Sequence, residues 1–412
     1  MNITFTYGKA EMTVAVPAST KVDEYTPTVT TDPVTPERFR RAFAAAGGPA
    51  LLSSDSPLVI VNDGYRHTPT ALLLGWLDDL DRTFLDRAEF LIATGTHAAP
   101  TAEHLTAIFG HHLNRIAARI HVHDSARAET MVRVGGDRFG ESAFLNRRIF
   151  AHPQRLVIGS VEPHYFAGFT GGRKSVFPGL CDRATTERNH NLANSQEARP
   201  LRLDGNPVAD QLMELMALIP DESFFTIQVV VDAQGRLADL HCGQLHEAFL
   251  QAVKTAHAVF ACRADRPYDT VLSELFPPLD QNLYQAQKAL ENTQAAVKDG
   301  GAVVVLSACP EGVGSPHFFA QAKTWDRDRN LPGDGVLRFG SHKLSRVNAM
   351  TRRIDVRLYS DAAPDQVRQV FFEPIDDLQE YLDERCRTIP GHRLAIIRDA
   401  GHTVVTTNTI EP

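Results

Sequence analysis

Four short strings in this chain gather residue types able to do polar chemistry. The longest runs Glu162-Pro163-His164-Tyr165-Phe166-Ala167-Gly168-Phe169-Thr170-Gly171-Gly172-Arg173-Lys174 and continues through Pro178-Gly179 to Asn189-His190. Gly168, Gly171 and Gly172 permit close backbone approach and positive φ, as an anion- or cofactor-binding loop needs, and Arg173 and Lys174 add charge. Taken alone, the glycines lean toward a tight connection beside a solvated Arg-Lys pair. In the second string, Ala93-Thr94-Gly95-Thr96-His97, backbone amides and the Thr94 and Thr96 hydroxyls can hold a phosphate while His97 reaches a substrate. The third, Asp63-Gly64-Tyr65-Arg66-His67-Thr68-Pro69, offers an arginine fork for a carboxylate, although an ion pair to Asp63 that shapes the turn reads equally well. The fourth, Asp280 to Lys288, opens a helix on which Gln285 and Lys288, three apart, share a face. His121-Val122-His123 sets two imidazoles on one face of a strand but brings no third metal ligand.

The first three strings each follow an apolar run. Leu58-Val59-Ile60-Val61, Phe90-Leu91-Ile92-Ala93 and Leu156-Val157-Ile158-Gly159 read as buried parallel strands, with helical patterns over Ala71 to Phe84 and Ala102 to Ile108. In such sheets ligands sit beyond the carboxyl ends of strands, where the strings lie. A second strand–helix–strand pattern begins at Asp269 to Leu272, passes through a helix from Leu283 to Val297 and reaches Ala302 to Leu306; Leu394 to Ile397 is a last strand and Thr403 to Pro412 trails off. The expected fold is α/β, with two Rossmann-like domains and the site in the cleft between them. Residues 1–266 form the first domain and 267–412 the second. Residues 2–17 read as a hairpin, residues 18–34 as a loose segment, and Thr35-Pro36-Glu37 as the cap and first turn of a helix reaching Ala46.

Composition narrows the function classes. A chain of 412 residues exceeds what one core usually serves, and 43% apolar with 22% charged residues is ordinary for globular proteins. A net charge of −8 without a large Lys/Arg cluster argues against nucleic acid as a partner. No apolar run reaches the ~18 residues of a membrane span, and no signal peptide is indicated. The five cysteines are far apart and form no CxxC pair, which suits reduced thiols in a cytoplasm.

Taken jointly and in this order, the four strings, with Glu311-Gly312-Val313-Gly314, resemble the nickel-pincer nucleotide family typified by lactate racemase. The resemblance runs from Asp63 to at least Gly314. It implies an isomerase, a racemase or epimerase that inverts C2 of a 2-hydroxy acid by hydride transfer to and from a nickel-pincer nucleotide, whose biosynthesis proteins would be its partners. By motif position His190 is the nickel ligand. Lys174 holds a thio-acid arm, through a thioamide or a noncovalent ion pair, and Thr94, Gly95, Thr96, Gly171 and Gly172 lie against the cofactor. His97 and His164 are the acid/base pair, which requires pKa values near the working pH. Arg66, Gln285 and Lys288 hold the substrate carboxylate, with Tyr65 and Tyr284 beside it. The chain departs from the family pattern at Tyr65, where threonine is usual, and at Ala98, where a basic residue often stands. These departures point to a substrate other than lactate, including a longer aldonic acid. Two other readings are a cofactor-independent racemase that exchanges the C2 proton and a non-catalytic cofactor-binding homologue. Oligomeric state is not legible.

Overall fold

Apolar runs without alternation become strands buried on both faces. Leu58–Asn62, Glu89–Ala93, Ile120–Val122, Arg155–Ser160 and Phe224–Val231 pair in parallel, and Leu237–Gln244 adds an antiparallel edge. The molecule is described by a computed structural model covering residues 1–220 and 224–407. From Leu58–Asn62 the chain moves outward through the next two strands, then returns to place Arg155–Ser160 on the opposite side of the first strand. The connections leaving Asn62 and Ser160 therefore diverge, opening a crevice at their carboxyl ends.

A second six-stranded sheet repeats the device. Tyr268–Glu274 is flanked on one side by Val297–Leu306, Asp355–Tyr359 and Glu373–Pro374, and on the other by Arg393–Ile397 and Lys21–Tyr25, all parallel. Its crevice lies between the ends of Tyr268–Glu274 and Arg393–Ile397. The two crevices face each other: His402, beyond the last long strand, packs its ring 5.6 Å from His67 of the first sheet.

The start of the chain departs from the expected division at residue 266. Strands Asn2–Tyr7 and Ala10–Ala15 form the anticipated hairpin, but Ile3, Phe5, Val14 and Val16 pack on Leu272, Val304, Leu394 and Ile396 of the second sheet. Lys21–Tyr25, within the segment read as loose, is an edge strand of that sheet; its sequence Lys-Val-Asp-Glu-Tyr hides it because edge strands tolerate charge. The chain thus crosses between sheets twice, and the crossings touch, the Thr28 amide donating to the Val259 carbonyl at 2.8 Å. Near the other end, Val404–Thr406 pairs with Ala261–Arg263 instead of trailing off, while residues 408–412 lie outside the described residues.

Most expected helices form. Thr35 caps Pro36–Ala45 by accepting from the Arg38 amide. The helix expected over Ala71 to Phe84 is two, Thr70–Leu80 and Phe84–Arg87, because the Asp81 carboxylate accepts from the Thr83 amide and hydroxyl and turns the chain between them. All five cysteines are free thiols. Among the described residues no helix is long and apolar enough to cross a membrane.

Since Phe5 is fully buried against the second sheet, Phe5→Ala is expected to lower stability by about 3–5 kcal/mol in urea denaturation. A loss below about 0.5 kcal/mol would show that the hairpin is not part of that core.

Candidate active site

The turn after Leu58–Asn62 is shaped by Asp63, whose Oδ1 accepts from the Tyr65 amide at 3.2 Å. Its Oδ2 accepts from His97 Nδ1 at 2.6 Å, joining the first and second strand-end loops. The ion pair between Asp63 and Arg66, weighed in the sequence, is not made. Arg66 instead donates to Glu162 Oε1 at 2.9 Å, and Thr68 donates to Ser160 Oγ, so the loop after Arg155–Ser160 is tied to the loop after Leu58–Asn62.

In the glycine-rich string, Pro163–His164 pairs with Gly168–Phe169 as a miniature hairpin. Gly168 (φ +77°) would put a Cβ 2.1 Å from the Arg202 carbonyl oxygen, and Gly172 (φ +51°) would put one 2.5 Å from the Phe249 ring. These glycines press the loop onto its own scaffold. Gly171 lines the cleft, but Gly172 does not; its amide donates to Gln228 Oε1. Arg173 also turns inward, stacking on Phe249 with its guanidinium carbon 4.6 Å from the ring centroid, so it does not line the cleft and acts on Lys174 only through its charge. Lys174 does reach it. The following helix, Arg183–Asn191, starts at Asp182, which accepts from the Thr185 amide, and its last turn carries His190 into the cleft.

The second domain contributes Tyr284, Gln285 and Lys288 from Leu283–Thr293. Asn282 caps this helix and donates to Glu311 Oε2, which explains the Glu-Gly-Val-Gly string as a brace for the helix start. Phe339 and Lys343 line the cleft as well, and the sequence reading missed both. Lys343 lies on Ser341–Thr351, whose local pattern carries no glycine-rich turn or strand end to mark it. Asp63 and Glu162 lay inside strings already singled out, yet their pairing is tertiary.

Hydrogen bonds set the tautomers. Carboxylates and carbonyls only accept, so His97 Nδ1 carries the proton shared with Asp63, and His190 Nδ1 donates to the Thr186 carbonyl at 2.8 Å. The lone pair of each neutral ring is then on Nε2. His164 is the reverse: its Nδ1 accepts from the Ala167 amide at 3.2 Å, placing the proton on Nε2. Thr94 and Gly95 also line the cleft, but the Thr94 hydroxyl donates to the His123 carbonyl and the Gly95 amide to the Gly179 carbonyl. Thr96 is the remaining hydroxyl donor of that turn. His121 and His123 serve structure, one paired with Glu89 and the other bonded to the Cys181 carbonyl and Asn146.

Arg66, Lys174, Lys288 and Lys343 share a cleft in which Asp63 is the single lining carboxylate among the described residues. Burial, then the charges of Arg66, Arg173 and Lys288, hold the Lys174 ammonium well below its usual range. Lys288 is pushed down to about 7 by burial and Arg66, against the opposing pull of Glu162 and Asp63. Burial and then Lys174 push His190 down to about 3. His164 is likewise held well below the ordinary histidine range by burial, Lys174, Arg66 and Lys288. Behind the cleft, both ring nitrogens of His402 face carboxylates, Nδ1 with Asp399 at 2.9 Å and Nε2 with Glu162 at 3.8 Å; these outweigh its burial and raise its pKa.

Comparison with known proteins agrees with this architecture. Residues 7–200 match the family model of the lactate racemase N-terminal domain and residues 269–338 that of the lactate racemase C-terminal domain. Lactate racemase of Thermoanaerobacterium thermosaccharolyticum is 30% identical over 282 residues, which span 67% of this chain and 64% of that protein. The Lactiplantibacillus plantarum enzyme is 31% identical over 239 residues, 57% of this chain and 55% of its own length. The matched stretches thus cover less than two thirds of these relatives. The fold is that of the lactate racemase apoprotein structure from T. thermosaccharolyticum, with a TM-score of 0.83, 23% identity, and coverage of 98% of this chain and 100% of that one. A Thermotoga maritima structure superposes with a TM-score of 0.72 at 18% identity, covering 92% and 99%. The chain belongs to the lactate racemase family.

The crowding of cations is testable without substrate. After reductive ¹³C-methylation, the Lys288 resonance, assigned by its loss in Lys288→Arg, is expected to titrate near pH 7. A midpoint above pH 9 would contradict the electrostatic reading.

Proposed function

We propose that this chain is an isomerase that inverts C2 of a 2-hydroxy acid, with a nickel-pincer nucleotide as its cofactor. The observation that carries the reading is the meeting, in one cleft, of the Asp63–His97 pair and His164 with Arg66, Gln285 and Lys288.

The residues present fit such a cofactor. His190 has its Nδ1 proton fixed on a backbone carbonyl, leaving Nε2 as a ligand atom, as metal-binding histidines require. Nickel(II) accepts imidazole readily. Among the described residues no three His, Cys, Asp or Glu side chains are grouped to hold a metal, so the further donors would belong to a bound organic group. Lys174, partly buried and without a carboxylate partner among the described residues, suits a thio-acid arm, with Thr96 and Gly171 beside it. When bound, the cofactor supplies a hydride acceptor and donor at C2.

The chain's own residues do the rest. Arg66, held flat by Glu162, grips the carboxylate together with Gln285 and Lys288. His97, whose Nδ1 proton is locked on Asp63, presents a basic Nε2 to the C2 hydroxyl. His164 in its neutral form donates from Nε2 to the same oxygen of the opposite enantiomer. Anionic ligands neutralise the lysines that depress His164; for the ring to take the hydroxyl proton at Nε2 its own proton must first move to Nδ1, releasing the Ala167 amide. The second-domain helix that supplies Gln285 and Lys288 also excludes water.

Protein from a host that makes the cofactor should invert enantiopure 2-hydroxy acids while keeping a C2 deuteron, with a primary isotope effect. Solvent hydrogen entering C2 would instead establish a cofactor-independent proton transfer. His97→Asn and His164→Asn are each expected to lower kcat about 10²- to 10⁴-fold with nickel content unchanged. Wild-type kcat in either variant would remove the acid/base assignment.

A further inference from the structure

Lys343 is a cation that the scheme above does not use. Its residue is 2% exposed, on Ser341–Thr351 of the second domain. The ammonium donates to the Tyr284 carbonyl at 2.9 Å and lies over the rings of Tyr284 and Tyr165, 4.2 and 4.7 Å from their centroids. A carbonyl and two aromatic faces hold a lysine in place, yet they leave its charge unneutralised. The nearby carboxylate, Glu291, is taken on both oxygens by Arg346. Lys343 therefore places a positioned amine with no carboxylate partner among the described residues at the wall of the cleft.

The other cations there have assigned roles. Arg66 is balanced by Glu162, Lys288 joins it on the substrate carboxylate, and Lys174 faces the cofactor arm. The Tyr284 carbonyl that orients Lys343 lies one helical turn, roughly 5.4 Å along the axis, from Lys288. Lys343 and Lys288 thus both reach the cleft beside the first turns of Leu283–Thr293, so a ligand with two carboxylates can meet a cation at each. A buried cation without a counter-ion is costly, and an anionic group on the ligand removes the cost.

We propose that Lys343, caged by Tyr165 and Tyr284, is a second anion site of the cleft, and that the substrate is a short 2-hydroxy acid bearing a second carboxylate. This rests on the 2-hydroxy acid reading above. It distinguishes the chain from an enzyme for lactate, whose methyl group has no use for an ammonium, and from one for aldonic acids, whose tail is uncharged.

The test compares malate, 2-hydroxyglutarate, lactate and gluconate with cofactor-loaded wild type and Lys343→Met, nickel content being measured on both. Wild type is expected to show kcat/KM at least 100-fold higher for one of the diacids than for lactate or gluconate. Lys343→Met should raise KM for that diacid and reduce its kcat/KM at least tenfold more than that for lactate. Calorimetry on cofactor-free protein supplies an arm independent of turnover: malate should bind at least tenfold more tightly than lactate, and Lys343→Met should abolish the difference. Lactate or gluconate preferred over both diacids, or equal losses on all acids in the variant, would overturn the proposal. So would a fall in nickel content in Lys343→Met, which would place the lysine on the cofactor. Loaded protein that inverts none of the acids sinks the parent reading, while the malate–lactate difference in calorimetry still decides the role of Lys343.

Discussion

Bringing several cations together out of water is unfavourable, and here it is done at the junction of two parallel sheets. Arg66, Lys174, Lys288 and Lys343 line a cleft with one carboxylate on its wall. Side chains left free would avoid this, so each is set on something rigid: a salt bridge, a short helical turn, a capped helix or an aromatic cage. The ammonium groups are depressed first by burial and then by one another's charge. That crowding is useful, since an anionic ligand entering such a cleft meets charges already in position and needs no reorganisation.

The sheets supply the rigidity. Each reverses its strand order next to its first core strand, and each reversal leaves a crevice from which loops diverge. Opposing the crevices brings residues from three strand ends and three helices into one volume. Glu162 and His402 stitch the two sides behind the cleft, Glu162 bonding Arg66 on its own side and facing the His402 imidazole on the other.

Much of this was legible in the residues. Strands buried on both faces announce themselves as unbroken apolar runs, and polar strings after such runs mark strand-end loops; His97, His164 and Arg66 lie in such loops, His190 is marked by the family resemblance, and all four share the cleft. Three kinds of feature were not legible. Lys21–Tyr25 is an edge strand, so its charged residues mask the pattern. Gly172 and Arg173 look like part of a binding loop, but their partners Gln228 and Phe249 lie far along the chain. Lys343 sits in an ordinary amphipathic helix, and its burial follows from domain packing that no local signal encodes.

The two crossings between the sheets, hydrogen bonded at Thr28 and Val259, lie side by side rather than at opposite edges. Val404–Thr406 pairs with the second crossing, so three strips of backbone run together there. On the cleft side Arg346 donates to the Ala193 and Ala198 carbonyls and Lys343 lies over the Tyr165 ring, so the second-domain helix is seated against the first domain. Separating the domains therefore means giving up buried bonds beside the cleft as well as strand pairing at the crossings.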